Sequence, residues 1–255
     1  MDRLPAVVEP AVTRLRELEP SSIAVLVGGS YARDTADELS DLDLTAIVEQ
    51  AGDRYYMWFH DRPGQAPLHV SACARTAADF LARREIPTGW WLGLPTLEPA
   101  RYAWSTDDAR AVLGEDPSIH RPASPPELED FFEFSMKVKR AALTGDAFGL
   151  RVWAMNAAEL APRLLLSLNP AVLVSSRREA AEAALSFPVA PEHYSQDLRV
   201  CLGLTPAKDD TLADAARRLS LELLAFLRER KPDVDPLPNV IESLVSGALE
   251  RQLAP

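Results

Sequence analysis

Apolar residues recur at two different spacings along this chain, and the switch between them divides it. Val7, Val8, Val12, Leu15 and Leu18 share one face at helical spacing, which predicts a helix over residues 6–18. Ile23 to Val27 is a β-branched run that stops at Gly28-Gly29, the pattern of a buried strand ended by a turn. Leu42 to Val48 predicts a second strand. Arg54 to His60 and Pro67 to Ala74 flank Arg62-Pro63-Gly64-Gln65, a hairpin signal. Thr76 to Arg84 reads as a helix and Arg101 to Trp104 as a short strand; Thr106 then caps a helix with Asp107 and Asp108 in its first turn. From residue 127 onward the pattern is helical. Segments are expected at 127–144, 147–168 with a kink at Pro162, 176–186, about 192–202, 211–230 and 239–252.

Between the two halves, Pro117, Pro122, Pro125 and Pro126 interrupt regular structure, so 116–126 reads as an interdomain linker. The expected organisation is α+β: a first domain over 1–118 and an α-helical bundle over 119–255.

Composition adds limits rather than direction. The 255 residues are 47% hydrophobic and 25% charged, as in an ordinary soluble protein. No apolar run approaches the ~20 residues a membrane span needs. The first residues lack the charged-then-apolar layout of a secretory leader, so a cytoplasmic protein is expected. Cys73 and Cys201 lie far apart in apolar surroundings and read as two buried free thiols, with a single disulfide as the alternative. Acidic residues outnumber basic ones by 38 to 27, for a net charge of −11. Proteins that grip nucleic acid do so through basic stripes, so this balance argues against a nucleic-acid partner and suits a small, cationic one.

The chemistry concentrates in Val27-Gly28-Gly29-Ser30-Tyr31-Ala32-Arg33-Asp34 and, after a spacer, Ser40-Asp41-Leu42-Asp43-Leu44. A glycine turn between a strand and a helix lets the backbone approach a ligand and turns free N–H groups toward phosphate. Neither a Walker loop nor a dinucleotide fingerprint is present. Alternate strand residues point to the same side ~6.5–7 Å apart, so Asp41 and Asp43 share one face while Leu42 and Leu44 enter the core. Two carboxylates so placed repel each other, and a hard divalent cation relieves the repulsion. In pairs, such ions stabilise the attacking and leaving oxygens of a phosphoryl displacement.

Gly29-Ser30, ten spacer residues, then Asp41-Leu42-Asp43 resembles the signature of the nucleotidyltransferase (polymerase β-like) superfamily. With a helical second domain of this size, the chain resembles the bacterial aminoglycoside nucleotidyltransferases. The resemblance implies a mixed sheet with flanking helices, and transfer of AMP from ATP to a hydroxyl of a small acceptor, with release of pyrophosphate. It further implies that Gly28, Gly29 and Ser30 hold phosphates, that Asp41 and Asp43 ligate Mg2+, and that Arg33 touches the triphosphate.

One position departs from the family. A third acid is expected on the strand after the hairpin, and Pro67-Leu68-His69-Val70-Ser71 offers His69 in its place. Either His69 takes over as base, or the base comes from the helical domain through Glu133 (four residues after Glu129), or activity is weakened. Glu133 also stands four residues before Lys137, the spacing of an exposed ion pair. Arg151, Asn156 and Glu159 interrupt an apolar helix, and Trp90, Trp91, Tyr102 and Trp104 are candidates for stacking on a base or sugar as well as for packing. His60, His120 and His193 lack metal-ligand spacing. Two other readings remain open: a toxin–antitoxin-type nucleotidyltransferase acting on a protein or RNA partner, and a nucleotide-binding module without activity.

Overall fold

The computed structural model describes residues 4–50, 54–88, 91–170 and 172–230. The expected helix over 239–252 and the aromatic Trp90 lie outside the described residues. The chain forms two compact units, one of residues up to Ile86 together with Leu97–Pro122, the other of Pro87–Thr96 and residues from Ala123 on.

In the first unit the elements run α1 (Val8–Leu18), β1 (Ser22–Val27), α2 (Gly29–Ala32), β2 (Leu42–Val48), β3 (Arg54–His60), β4 (Leu68–Thr76) and α3 (Ala77–Ala82). They continue with β5 (Thr96–Glu98), β6 (Arg101–Ser105), α4 (Asp107–Leu113) and β7 (Ile119–Arg121). Five strands form one sheet in the order β3-β4-β2-β1-β6, with β2 and β4 parallel and the other neighbours antiparallel, so the sheet is mixed. The β3–β4 hairpin closes through Gly64, at φ 76°, with Gln65 N–H donating to the Arg62 carbonyl.

Strand alternation decides which side chains enter which layer. Leu42, Leu44, Ala46 and Val48 of β2 face Val8, Ala11, Val12 and Leu15 of α1 in one core. Phe80, Ala109, Leu113 and Ile119 cover Ala24, Leu26 and Ile47 on the opposite face. Asp43 and Thr45 share that second face with His69, Ser71 and Cys73 of β4.

A half-buried ion pair ties the end of α1 to the sheet edge. Glu19, 3% exposed, accepts from Arg54 Nε at 2.6 Å and Nη2 at 2.5 Å, and from the Tyr56 hydroxyl. Burial pushes the Glu19 carboxyl up, but Arg54 and Tyr56 outweigh it and hold the group below the usual carboxylate range. A carboxyl lowered in the folded state stabilises the fold above its unfolded pKa, and that contribution is lost as pH falls through the folded value. Because Arg54 keeps access to water, Glu19→Ala is expected to cost about 2 kcal/mol, short of the loss for a fully buried pair. Urea unfolding at neutral pH checks this, and the gap between variant and wild type should close in acid.

The second unit contains α5 (Leu128–Thr144), α6 (Ala147–Leu165), α7 (Arg177–Leu185), α8 (Tyr194–Cys201) and α9 (Asp209–Glu229), packed around one core. Gly145, at φ 68°, ends α5, and Asp146 caps α6 by accepting from Gly149 N–H. α6 runs unbroken through Pro162 and tightens into a 3₁₀ turn at Leu166–Leu168. Small residues Ala154, Ala157, Ala158 and Ala161 line its buried face. Ser135 and Ser220 share a buried hydrogen bond of 2.8 Å between α5 and α9, and Asp197, 1% exposed, is gripped by Arg218 at 2.5 and 2.8 Å.

The proline-rich stretch read as a linker is partly structured: β7 lies inside it and pairs with β5 in a small second sheet. Both cysteines are free; Cys201 is buried, whereas Cys73 is only half-buried, because it faces the incompletely covered side of the sheet. No helix among the described residues is long and apolar enough to cross a membrane.

Candidate active site

The site is assembled where β1 ends beside the start of β2. Val27 pairs with Leu44, and the next N–H, that of Gly28, donates to the Asp43 carbonyl at 2.9 Å. Gly29 then turns at φ 60° directly over the Asp43 side chain: a Cβ at position 29 would lie 2.5 Å from Asp43 Oδ2. Any side chain there would be strained at that φ and would have to displace the carboxylate. At Gly28 the same construction meets nothing closer than Asp43 Cβ at 3.7 Å, so its space is less restrictive. Ser30 follows in α2, and its carbonyl accepts from Thr35 N–H.

The loop between α2 and β2 is held by its own side chains. Asp37 Oδ1 accepts from Leu39 N–H and from the Ser40 hydroxyl, and Ser40 Oγ accepts in turn from Asp37 N–H. These bonds, Ser40 foremost, lower the Asp37 pKa. Arg101 of β6 reaches Asp34 at 2.6 Å, fixing the exit of α2. Neither Asp37 nor Arg101 stood out in the sequence, although an aspartate two or three residues before its partners is the mark of an Asx turn.

Asp41 and Asp43 have no ion-pair or hydrogen-bond partner of their side chains among the described residues. Solvent reaches Asp43, yet the glycine bend crowds its carboxyl. Burial first, and then the Asp41 charge, raise its pKa above the usual range, while His69 and Arg33 draw it partway back. Gly28, Gly29, Arg33, Asp41, Asp43 and His69 are therefore one cluster. In the β2–β4 register Asp43 stands opposite Ser71 and Leu42 opposite Val70, which puts His69 on the carboxylate face, its ring 5.4 Å from that of Phe59.

The donor set suits a hard cation: two carboxylates, with the Asp41 charge raising the proton affinity of Asp43, and oxygen ligands only. Among the described residues no group of three or more His, Cys, Asp or Glu is arranged to hold a metal ion. Two carboxylates remain compatible with magnesium, which is commonly bound by one or two carboxylates plus substrate phosphates.

Other candidates are engaged elsewhere. Glu133, in the helical unit, pairs with Lys137 at 2.5 Å on an exposed stretch of α5, and Arg151 pairs with Asp209. Trp91 packs against the helical core, Arg16 stacks 3.7 Å over Trp104, and Tyr102 lies under Arg110 with its hydroxyl on the Gly114 carbonyl.

Comparison with known proteins follows the same division. Residues 9–84, from α1 past β4, match the family model of the nucleotidyltransferase domain, and residues 127–229, α5 to α9, match that of the nucleotidyltransferase substrate-binding domain of the Ant-IIb type. This chain is a nucleotidyltransferase. The first match encloses the whole glycine–aspartate cluster, and the second domain is of a kind typical of aminoglycoside nucleotidyltransferases. A crystal structure of a nucleotidyltransferase-like protein from Exiguobacterium sibiricum 255-15 aligns with 94% of this chain and 89% of its own, at 12% identity and a TM-score of 0.37. No curated protein matches the chain significantly. The assignment rests on the two family models.

Proposed function

We propose that this nucleotidyltransferase moves AMP from ATP to a hydroxyl of a small, cationic acceptor of the aminoglycoside class, with Mg2+ as cofactor. The observation that carries the reading is the packing of the Asp43 carboxylate against Gly29, with Asp41 beside it and neither acid in an ion pair among the described residues. Asp41 and Asp43 would hold the metal, which supplies charge neutralisation for the triphosphate and its leaving group. Gly28, Gly29 and Ser30 offer the phosphates backbone N–H groups and one hydroxyl, and Arg33 adds positive charge beside them. The acceptor oxygen forms a bond to the α-phosphorus, the bond from that phosphorus to the bridging oxygen breaks, and pyrophosphate leaves with the electron pair.

The acceptor proton passes to His69. Its imidazole is on the carboxylate face, and histidine is the side-chain type suited to general-base work near neutrality, whereas Glu133 is committed to Lys137. His69→Ala should lower kcat about a hundredfold or more, and Glu133→Gln should leave it within about twofold. Pyrophosphate release from ATP and Mg2+, measured across a panel of aminoglycosides, tests both. The reverse pattern would move the base to the helical domain, and no release with any acceptor would remove the aminoglycoside assignment.

A further inference from the structure

Strand β3 is an edge of the five-stranded sheet, with β4 on one side and no strand among the described residues on the other. Its seven residues pair with β4 in unbroken register, with no bulge. The segment Arg54-Tyr55-Tyr56-Met57-Trp58-Phe59-His60 contains no lysine, proline or acid, the devices that keep exposed edges apart in monomeric proteins. Its outward backbone groups have no hydrogen-bond partner among the described residues. Tyr55, Met57 and Phe59 are 70%, 73% and 66% exposed, side by side on the face that carries Asp43 and His69.

We propose that β3 joins two copies of this chain edge to edge, antiparallel about a two-fold axis at Met57, so that two five-stranded sheets become one of ten. A row of alternating N–H and C=O groups at strand spacing is satisfied by another extended strand. The strand is also complementary to itself. About Met57, Tyr55 falls opposite the partner's Phe59, and Tyr56 opposite the partner's Trp58, aromatic pairs of the kind that stabilise antiparallel ladders. The net charge of −11 opposes association elsewhere on the surface, whereas this edge brings no carboxylates face to face, and Arg54, opposite the partner's His60, is already neutralised by Glu19 of its own chain. The axis stands perpendicular to the sheet, so both catalytic faces lie on the same side, separated by a strip of six apolar side chains, three from each copy. That strip and the paired edge cover on the order of 1,000 Å² in total, the low end for a specific interface. The dimer is therefore reversible.

The proposal is independent of the acceptor and the reaction, and sedimentation of the full chain over a concentration series tests it. The wild type should approach twice the chain mass at high concentration and return to one on dilution. Met57→Lys, which sets two ammonium groups on the axis, should sediment as one chain with unchanged circular dichroism, while Met57→Leu should still dimerise. Met57→Cys should cross-link to itself under mild oxidation and separate on reduction. A wild type that stays at one chain mass, a Met57→Lys variant that still dimerises, or a Met57→Cys variant that does not cross-link overturns the proposal.

Discussion

Asp43→Asn is expected to lower the rate of nucleotide transfer by a thousandfold or more, a loss of roughly 4 kcal/mol of transition-state stabilisation. Asparagine keeps the shape of the side chain, so the glycine bend and the β2 register should survive; what disappears is the charge. The structure also fixes the sign of the accompanying stability change. The Asp43 carboxyl is raised above its ordinary range, by burial first and then by Asp41. The ionised group is thus less favourable in the folded chain than in the unfolded one, and at neutral pH it detracts from stability. A neutral amide removes that penalty. Without metal, the variant should therefore be at least as stable as the wild type while being inactive. Rates from pyrophosphate release and urea unfolding on the same preparations decide the matter. Loss of activity accompanied by loss of fold would make Asp43 a packing residue.

The second large effect belongs to Gly29→Ala. Its φ of 60° is costly for any residue with a side chain, and the new methyl would lie 2.5 Å from Asp43 Oδ2. Something must move, and the carboxylate is the nearest thing to move. A displacement of about 1 Å at a reacting centre costs on the order of a hundredfold in rate, so kcat/KM should fall by at least that much, with about 1–2 kcal/mol lost in stability. Gly28→Ala is the matched control. Its methyl has ordinary contacts and its φ of −112° is accessible to alanine, so stability should hold. Equal losses in the two variants would mean that the close approach at Gly29 is not what places Asp43.

Much of this site was legible in the sequence because its parts are local. β2 was readable to the residue, since Leu42 and Leu44 alternate with Asp43 and Thr45 ahead of the apolar Ala46-Ile47-Val48, and that alternation also told which way Asp43 points. The hairpin announced itself through Pro63-Gly64. What escaped is what depends on distant partners. β5 and β7 have three residues each and no periodicity, and they exist because they pair with each other, so Ile119–Arg121 passed as linker between its prolines. Glu19 carried no signal of its own in the sequence, since its partners Arg54 and Tyr56 lie more than thirty residues on. Cys73 read as buried from its apolar neighbours, but its strand position turns it to the side that α3 and α4 only partly cover. His69 could be assigned a face from alternation alone; its place beside the two aspartates needed the parallel pairing of β2 with β4.

Calorimetric titration of a non-hydrolysable ATP analogue into the wild type and into an Asp41→Asn/Asp43→Asn double variant, each with and without Mg2+, tests the metal-holding role of the two aspartates most directly. The wild type should gain most of its affinity only when the metal is present, and the double variant should bind with the same weak affinity in both conditions. Metal-dependent binding that persists undiminished in the double variant would mean that Asp41 and Asp43 do not hold the cation.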